Sequence, residues 1–403
     1  MSRTCIRAGS SLPPSAFDAL RLQACLNHAK WDPQVGDVAT LARFPLILAD
    51  TTWRQLCAWA ESLAAELLAA EKELITSSGL LRRIGVPWRL RRHMQSAGDL
   101  PRVVRFDFHP TADGWRISEA NADVPGGFNE SAFLASVMCG YLSGAKSSGD
   151  PLGVWAETVI AAAGESDGII ALVSAPGFME DTQVVAGLAR CLAERNIPSL
   201  MCSPRNLLWD KNGNATLWGR RVSAIVRFVQ AEWLPALDPH WRHWWKARLP
   251  ILNPPTAMIA ESKRLPLVWK DLSIPMPTWR QLLPETADPH DAPWRTGEWI
   301  VKPAYGNTGD DVASIAWTPK KEWRRISWQL RLNPRSWVAQ RRFDAQSIDT
   351  PLGLYRPCIG VFTIGGRAVG AYGRLAASHV VDYRAIDAAV LIEARSEHFD
   401  AEE

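Results

Sequence analysis

Lysine is scarce in this 403-residue chain: 10 residues against 35 arginines. A lysine standing in a patterned position is therefore less easily put down to chance. The seven cysteines, at 5, 25, 57, 139, 191, 202 and 358, are scattered and include no CxxC pair. That argues against a disulfide framework and a structural zinc site, and points to a reducing compartment. No stretch approaches the roughly 18 apolar residues of a membrane span, and MSRTCIRAGSSLPPSAF has no apolar signal core, so a cytoplasmic protein is expected. A net charge of +3 predicts no general attraction to nucleic acid or membrane. There is no GxGxxG after a strand, no GxxxxGK[ST] and no fixed-period repeat, which excludes a dinucleotide fingerprint, a P-loop and a solenoid.

What is present is ordinary in bulk: 47% hydrophobic and 22% charged residues, with length enough for two or three packed lobes. The 20 tryptophans imply thick aromatic packing, since base stacking would need a basic groove around them. Residues 15–80 read mostly as helix, with Asp50-Thr51-Thr52 as a cap for LADTTWRQLCAWAESLAAELLAAEKELI. Arg82, Arg83, Arg89, Arg91 and Arg92 form the densest basic cluster, either a solvated helical surface or a contact for an anionic substrate. From 168, GIIALVSAPGFMEDTQVVAGLARCLAERNIPSLMC reads as a βαβ unit with parallel strands near 169–174 and 198–202, a Rossmann-like lobe. Asn212-Gly213 marks a hairpin at its edge. His240 and His243 lack further ligands at metal spacing and read as packing residues.

Two constellations carry chemistry. In RFDFHPTADGWRISEANAD, two alternating segments flank Pro110–Gly114 and predict a hairpin in which Arg105 pairs with Glu119 and His109 with Trp115. Arg105, Asp107, Glu119 and Asn121 then project from one face. Two carboxylates and an amide oxygen are hard ligands suited to Mg²⁺, and the guanidinium beside them suits phosphate or carboxylate. An isolated hairpin with an exposed face of mixed charge would show the same residues. In WIVKPAYGNTGDDV, an apolar strand delivers Lys302 and then a loop with Gly306, Asn307 and Gly309, a phosphate-handling arrangement that an exposed glycine turn also fits. SWVAQRRFD reads as a strand ending near Gln340, VFTIGGRAVGAYGRLAAS as a hairpin turning at Gly365-Gly366 with Arg374 near its end, and Lys263 lies in a helix-like context.

With these residues the chain resembles, from about 80 to about 393, the synthetase domain of the glutathionylspermidine synthase family, a permuted ATP-grasp. The resemblance is carried by IGVP at 85–88, RFDF at 105–108, SEANAD at 118–123, Glu130, the DKNGNATLWG hairpin followed by AEWL, Ser262-Lys263, VKPAYGNTG, the WVAQ strand and FTIGGRAVGAYGR. It implies an α+β, ATP-grasp-like fold with a Rossmann-like α/β lobe and a helical N-terminal segment. The expected division is 1–100 for that segment, 101–155 with 346–403 for the metal- and phosphate-binding core, 156–250 for the Rossmann-like substrate lobe and 251–345 for the lid. It further implies that Asp107, Glu119 and Asn121 ligate Mg²⁺, one or two ions. Arg105 and Arg374 would hold the phosphoryl group and substrate carboxylate, Lys263 and Lys302 would contact ATP, the loop of Gly306, Asn307 and Gly309 would close over its phosphates, and Gln340 would lie near the adenine.

The implied activity is an ADP-forming carboxylate–amine ligase acting through an acyl phosphate on a small-molecule or peptide carboxylate and an amine. A catalytically weak nucleotide-binding protein or a carboxylate kinase on the same fold is the alternative. Val124-Pro125-Gly126-Gly127 stands where the family has small hydroxyl residues, and Leu375-Ala376-Ala377 follows Arg374 where an acidic pattern is usual. The first departure falls at the expected substrate pocket, and no amidase domain is expected before the synthetase. Glutathione and spermidine therefore do not carry over as substrates.

Overall fold

A run buried on both faces, 357–364, anchors the longest hairpin, Gly353–Ile364 with Arg367–Ala376, closed by Gly365 and Gly366 at φ +57° and +80°. In the computed structural model, which describes residues 5–35, 38–94, 98–306, 309 and 311–394, this hairpin is the spine of a six-stranded antiparallel sheet. Ile386–Ala388 flanks it on one side, and Val103–Thr111 followed by Gly114–Asn121 on the other; Ile348–Thr350 pairs with the start of Gly353–Ile364. The helix Asp50–Leu74 buries Leu56, Ala60, Leu63, Leu67 and Leu74, the three- and four-residue spacing of one apolar face, and packs that face on the spine.

The βαβ expectation holds. Ile169–Ser174 pairs in parallel with Ser199–Cys202, with the helix Met179–Glu194 between them, and Arg220–Phe228 and Ile251–Leu252 extend the parallel run. The hairpin Leu207–Trp209/Ala215–Leu217 forms the edge of that sheet. Phe128, Trp155, Phe228 and Phe362 stack into one another at 4.5–5.8 Å and join it to the central sheet. A third sheet, Thr286–Ala287, Trp337–Arg341 and Trp299–Pro303, carries Lys302. A fourth combines both ends of the described chain in the order Ile6–Ala8, Leu46–Leu48, Val390–Glu393, Ala145–Ser147.

Three local expectations need correction. The described residues between 28 and 48 are not helical; the chain leaves the helix Pro14–Asn27 and forms short strands, among them one in the apolar run 44–48, which is buried on both faces. Asp50 is not a cap but a first-turn residue, with Ala49 at the N-cap position and Arg54 Nη2 2.7 Å from its carboxylate. The 105–121 hairpin turns on Ala112 and Asp113 alone, Thr111 pairing with Gly114, so His109 faces Arg116 and not Trp115. Pro110 lies beyond the last ladder position with Gly353–Ile364, at Phe108, so its missing N–H costs no hydrogen bond there and it does not end the strand. Ser118 and Glu119 together oppose Asp107 in a bulge, and Arg105 consequently pairs with Asn121 rather than Glu119. His243 stacks on Trp209 at 5.9 Å as a packing residue does, whereas His240 is exposed.

Candidate functional site

The bulge keeps Arg105, Asp107, Glu119 and Asn121 on one face, now as floor to a cavity of about 910 Å³. Arg105 grips Asp107 through both ends of its fork, Nε to Oδ1 at 2.7 Å and Nη2 to Oδ2 at 2.9 Å, and Nη1 donates to the Gly126 carbonyl at 2.7 Å. Three of its five N–H groups are thereby used, and two remain. Its plane lies 5.3 Å over the Tyr372 ring. Asn121 Nδ2 donates to Asp107 Oδ2 at 3.2 Å, which leaves the amide oxygen free of that bond. Gly360, directly across from Asp107, leaves the needed room: a Cβ there would stand 2.8 Å from the Arg105 Cδ.

Both lysines reach this floor from outside the hairpin. Lys302, on Trp299–Pro303, donates Nζ to the Ser118 carbonyl at 3.1 Å. Lys263 sits in a turn after the helix Met258–Glu261 rather than in a helix; its Nζ is 3.2 Å from Glu119 Oε2 and donates to the Gly306 carbonyl at 2.8 Å. One ammonium thus links a floor carboxylate to the glycine loop. Burial pushes the Glu119 carboxyl up, but Lys263 and Lys302 outweigh it and hold it down at about 2. Burial depresses Lys302 to about 8 against the pull of Glu119, and Lys263 adds to that depression. Lys263 itself goes up, because Glu119 and Glu261 outweigh its burial. His109, buried with Nε2 3.1 Å from Ser118 Oγ, is lowered by burial to about 4 and stays neutral.

The other expected residues divide. Arg374 lines the cavity and donates Nη2 to the Asp382 carbonyl at 2.7 Å, and its buried Nε has no hydrogen-bond partner among the described residues. Gly306 and Gly309 line it as well. Gln340 is not part of the lining: it is buried beside its strand partner Ile300, with Nε2 on Thr286 Oγ1 at 3.0 Å, while Ile300, Arg342 and Phe343 line the cavity. Asn307 lies outside the described residues.

Sequence reasoning missed a second cluster in the same cavity, around Lys30, Asp32, Glu130, Asp387 and Tyr372. Glu130 was visible only through the family pattern, and no spacing marks Lys30; the scarcity of lysine was its one signal. Asp123, in SEANAD, also supports the fold: it pairs with Arg227, buried in the α/β sheet, and accepts the Ala231 N–H at 2.8 Å.

An antiparallel core with an acidic face, a small lysine-bearing sheet beside it and an adjoining parallel α/β sheet together define an ATP-grasp-related α+β fold. A family model described as glutathionylspermidine synthase preATP-grasp matches residues 48–392, and the chain belongs to that family of synthetases. A glutathione synthetase-like effector from Globodera pallida, solved in its apo form, superposes with a TM-score of 0.62 over 94% of this chain and 97% of its own, at 12% identity. That likeness concerns the fold alone. No curated protein matches the chain.

Among the described residues, no three His, Cys, Asp or Glu side chains gather as a ready metal cage. The hard-oxygen chemistry of Asp107, Glu119 and Asn121 nevertheless fits Mg²⁺. Carboxylate oxygens hold more than one lone-pair site, so the grip of Arg105 on Asp107 and of Lys263 on Glu119 leaves acceptor capacity on both.

Proposed function

We propose that this protein is an ATP- and Mg²⁺-dependent carboxylate–amine ligase that forms an amide bond and releases ADP. The observation that supports it best is the meeting of Lys302 with the carboxylate face of the 105–121 hairpin in a single cavity, with Lys263, itself outside the lining, paired to Glu119 of that face. Cations for a polyphosphate and hard anionic ligands for its metal are the parts phosphoryl transfer requires. In this reading Asp107, Glu119 and Asn121 hold Mg²⁺, which when bound neutralises charge on the phosphates. Lys302 and Lys263 hold the nucleotide, and the loop carrying Gly306, Asn307 and Gly309 covers it and limits hydrolysis by water.

In this reading Arg105, with the two N–H groups its bonds to Asp107 and Gly126 leave over, and Arg374, which also lines the cavity, orient a substrate carboxylate and the phosphoryl group it receives. A carboxylate oxygen attacks the γ-phosphorus, and the bond to the bridging oxygen of ADP breaks. The amine nitrogen then attacks the acyl carbon, phosphate departs, and the nitrogen gives up a proton. Arg105 steadies the oxyanion formed between these events. Most of the rate gain comes from holding the reactants in register.

The test is incubation with Mg·ATP and pools of acids and amines. ADP release that needs both, with a new amide, is the expected outcome, and hydroxylamine should divert the acid to a hydroxamate. ADP release that needs only the acid, without amide, would make the protein a carboxylate kinase. Absence of nucleotide binding by calorimetry at millimolar ATP would overturn both. Lys302→Met should weaken ATP roughly 10- to 100-fold, the worth of a charge-assisted hydrogen bond, and an unchanged affinity would remove Lys302 from the nucleotide site.

A further inference from the structure

The residues before 48 lie outside the family match, yet they send one cation into the cavity wall. The helix Pro14–Asn27 ends at His28, Ala29 takes φ +53°, and the chain turns so that the Lys30 N–H returns to the Ala24 carbonyl at 2.9 Å. Flanking bonds fix the turn: the Trp31 N–H donates to Gln183 Oε1 at 2.6 Å, and Thr40 Oγ1 donates to the Asp32 carbonyl at 2.6 Å. Lys30 is 7% exposed, with Nζ 2.7 Å from Glu130, 3.0 Å from Asp32 and 3.1 Å from Asp387. Tyr372 supports the cage by donating its hydroxyl to the other Asp387 oxygen at 2.6 Å. Burial works against the ammonium, but Glu130, Asp387 and Asp32 outweigh it and the group goes up, so it stays charged.

Three acceptors around three ammonium N–H groups make a complete primary-ammonium site. Its carboxylates come from a helix of the family domain, from a central-sheet strand and from the N-terminal stretch, whereas its cation comes from the N-terminal stretch alone. We infer that Lys30 is a specificity-determining residue, a tethered ammonium filling a cavity subsite that would otherwise hold the ammonium of a small alkyl amine or diamine. The acceptor amine of this protein is accordingly one that brings no second cation to that subsite. The acceptor's role rests on the ligase reading, but occupancy of the subsite does not, and it is tested without ATP.

Ethylammonium and 1,4-diaminobutane are titrated by calorimetry and thermal shift into the full wild-type chain, Lys30→Ala and Lys30→Met. Lys30→Ala, which opens the cage, should bind ethylammonium at least about tenfold more tightly than wild type and gain melting temperature with its concentration. Lys30→Met, which keeps the volume filled, should show no such gain. Equal affinity in wild type and Lys30→Ala would overturn the inference, as would equal stabilisation of Lys30→Ala by neutral propanamide. Should Lys30→Ala not fold alone, Lys30→Ala with Asp32→Asn leaves two carboxylates and is titrated in its place, and the same equality overturns it. Failure of ATP binding would sink the ligase reading and leave this result untouched.

Discussion

Asp181 lies in the cavity wall with Oδ2 buried and without a hydrogen-bond partner among the described residues. Burial, then the charges of Glu180 and Asp123, push its pKa up to about 7. The folded protein therefore keeps a proton on Asp181 at pH values where the unfolded chain, titrating at about 3.9, has lost it. Since the folded state binds more protons between about pH 4 and 7, stability falls as pH rises through that window, and the full cost is present above it. Asp181→Asn removes that cost. Its melting temperature should exceed wild type by more at pH 8 than at pH 5; a gap independent of pH would show that Asp181 ionises normally. Glu119 is the opposite case, a partly exposed carboxylate that two lysines keep ionised.

Gly127 shows what a single turn requires of its residue. It precedes the helix Phe128–Cys139 at φ +90°, and a Cβ there would lie 2.6 Å from the Tyr372 ring, which supports Arg105 from below. Gly127→Ala should cost about 1–3 kcal/mol in urea denaturation, the range for a strained backbone with a steric clash. Gly126→Ala, with nothing within 4 Å of its Cβ position, should be nearly neutral. Equal losses for the two would remove the ring contact as the cause.

The same elements show how far the sequence could be read. The apolar run Ile169–Ser174 and the 361–376 part of the late hairpin were legible because local pattern and burial agree, whereas 353–360, which opens exposed, was not. The 105–121 hairpin was legible as a hairpin but not in register, because a bulge is an outcome of pairing and leaves no local mark. The shared face survived the error, since both readings place Glu119 and Asn121 two residues apart on one strand. The 28–48 stretch was misread because its strands are short and depend on partners more than 300 residues away, such as Val390–Glu393. Lys30 was illegible for the same reason.

At the scale of the molecule, the cavity depends on the central sheet and the parallel sheet holding their relation. Arg227, fully buried, is the joint: it pairs with Asp123 at the end of the 105–121 hairpin and donates to the Asn253 and Pro254 carbonyls at 3.0 and 3.1 Å. Asp123→Asn leaves the guanidinium buried without its counter-charge and should cost about 3–5 kcal/mol, read by urea denaturation with probes in each sheet. Replacing both residues by apolar ones should cost less than the single change. If Asp123→Asn is as stable as wild type, the Arg227–Asp123 pair is not what joins the two sheets, and apolar packing with the Asn253 bonds to Val103 and Ala122 suffices.

The fourth sheet has a consequence for the order in which the molecule is completed. Val390–Glu393 is the inner strand between Leu46–Leu48 and Ala145–Ser147, so an early segment waits for one made more than 300 residues later. Bringing such distant segments together costs loop-closure entropy before any ladder bond offsets it. The strand Ile386–Ala388, which carries Asp387 of the Lys30 cage, arrives in the same late stretch. During synthesis Lys30, Asp32, Glu130 and the floor formed by residues 105–121 thus all emerge before the carboxylate that closes the cage.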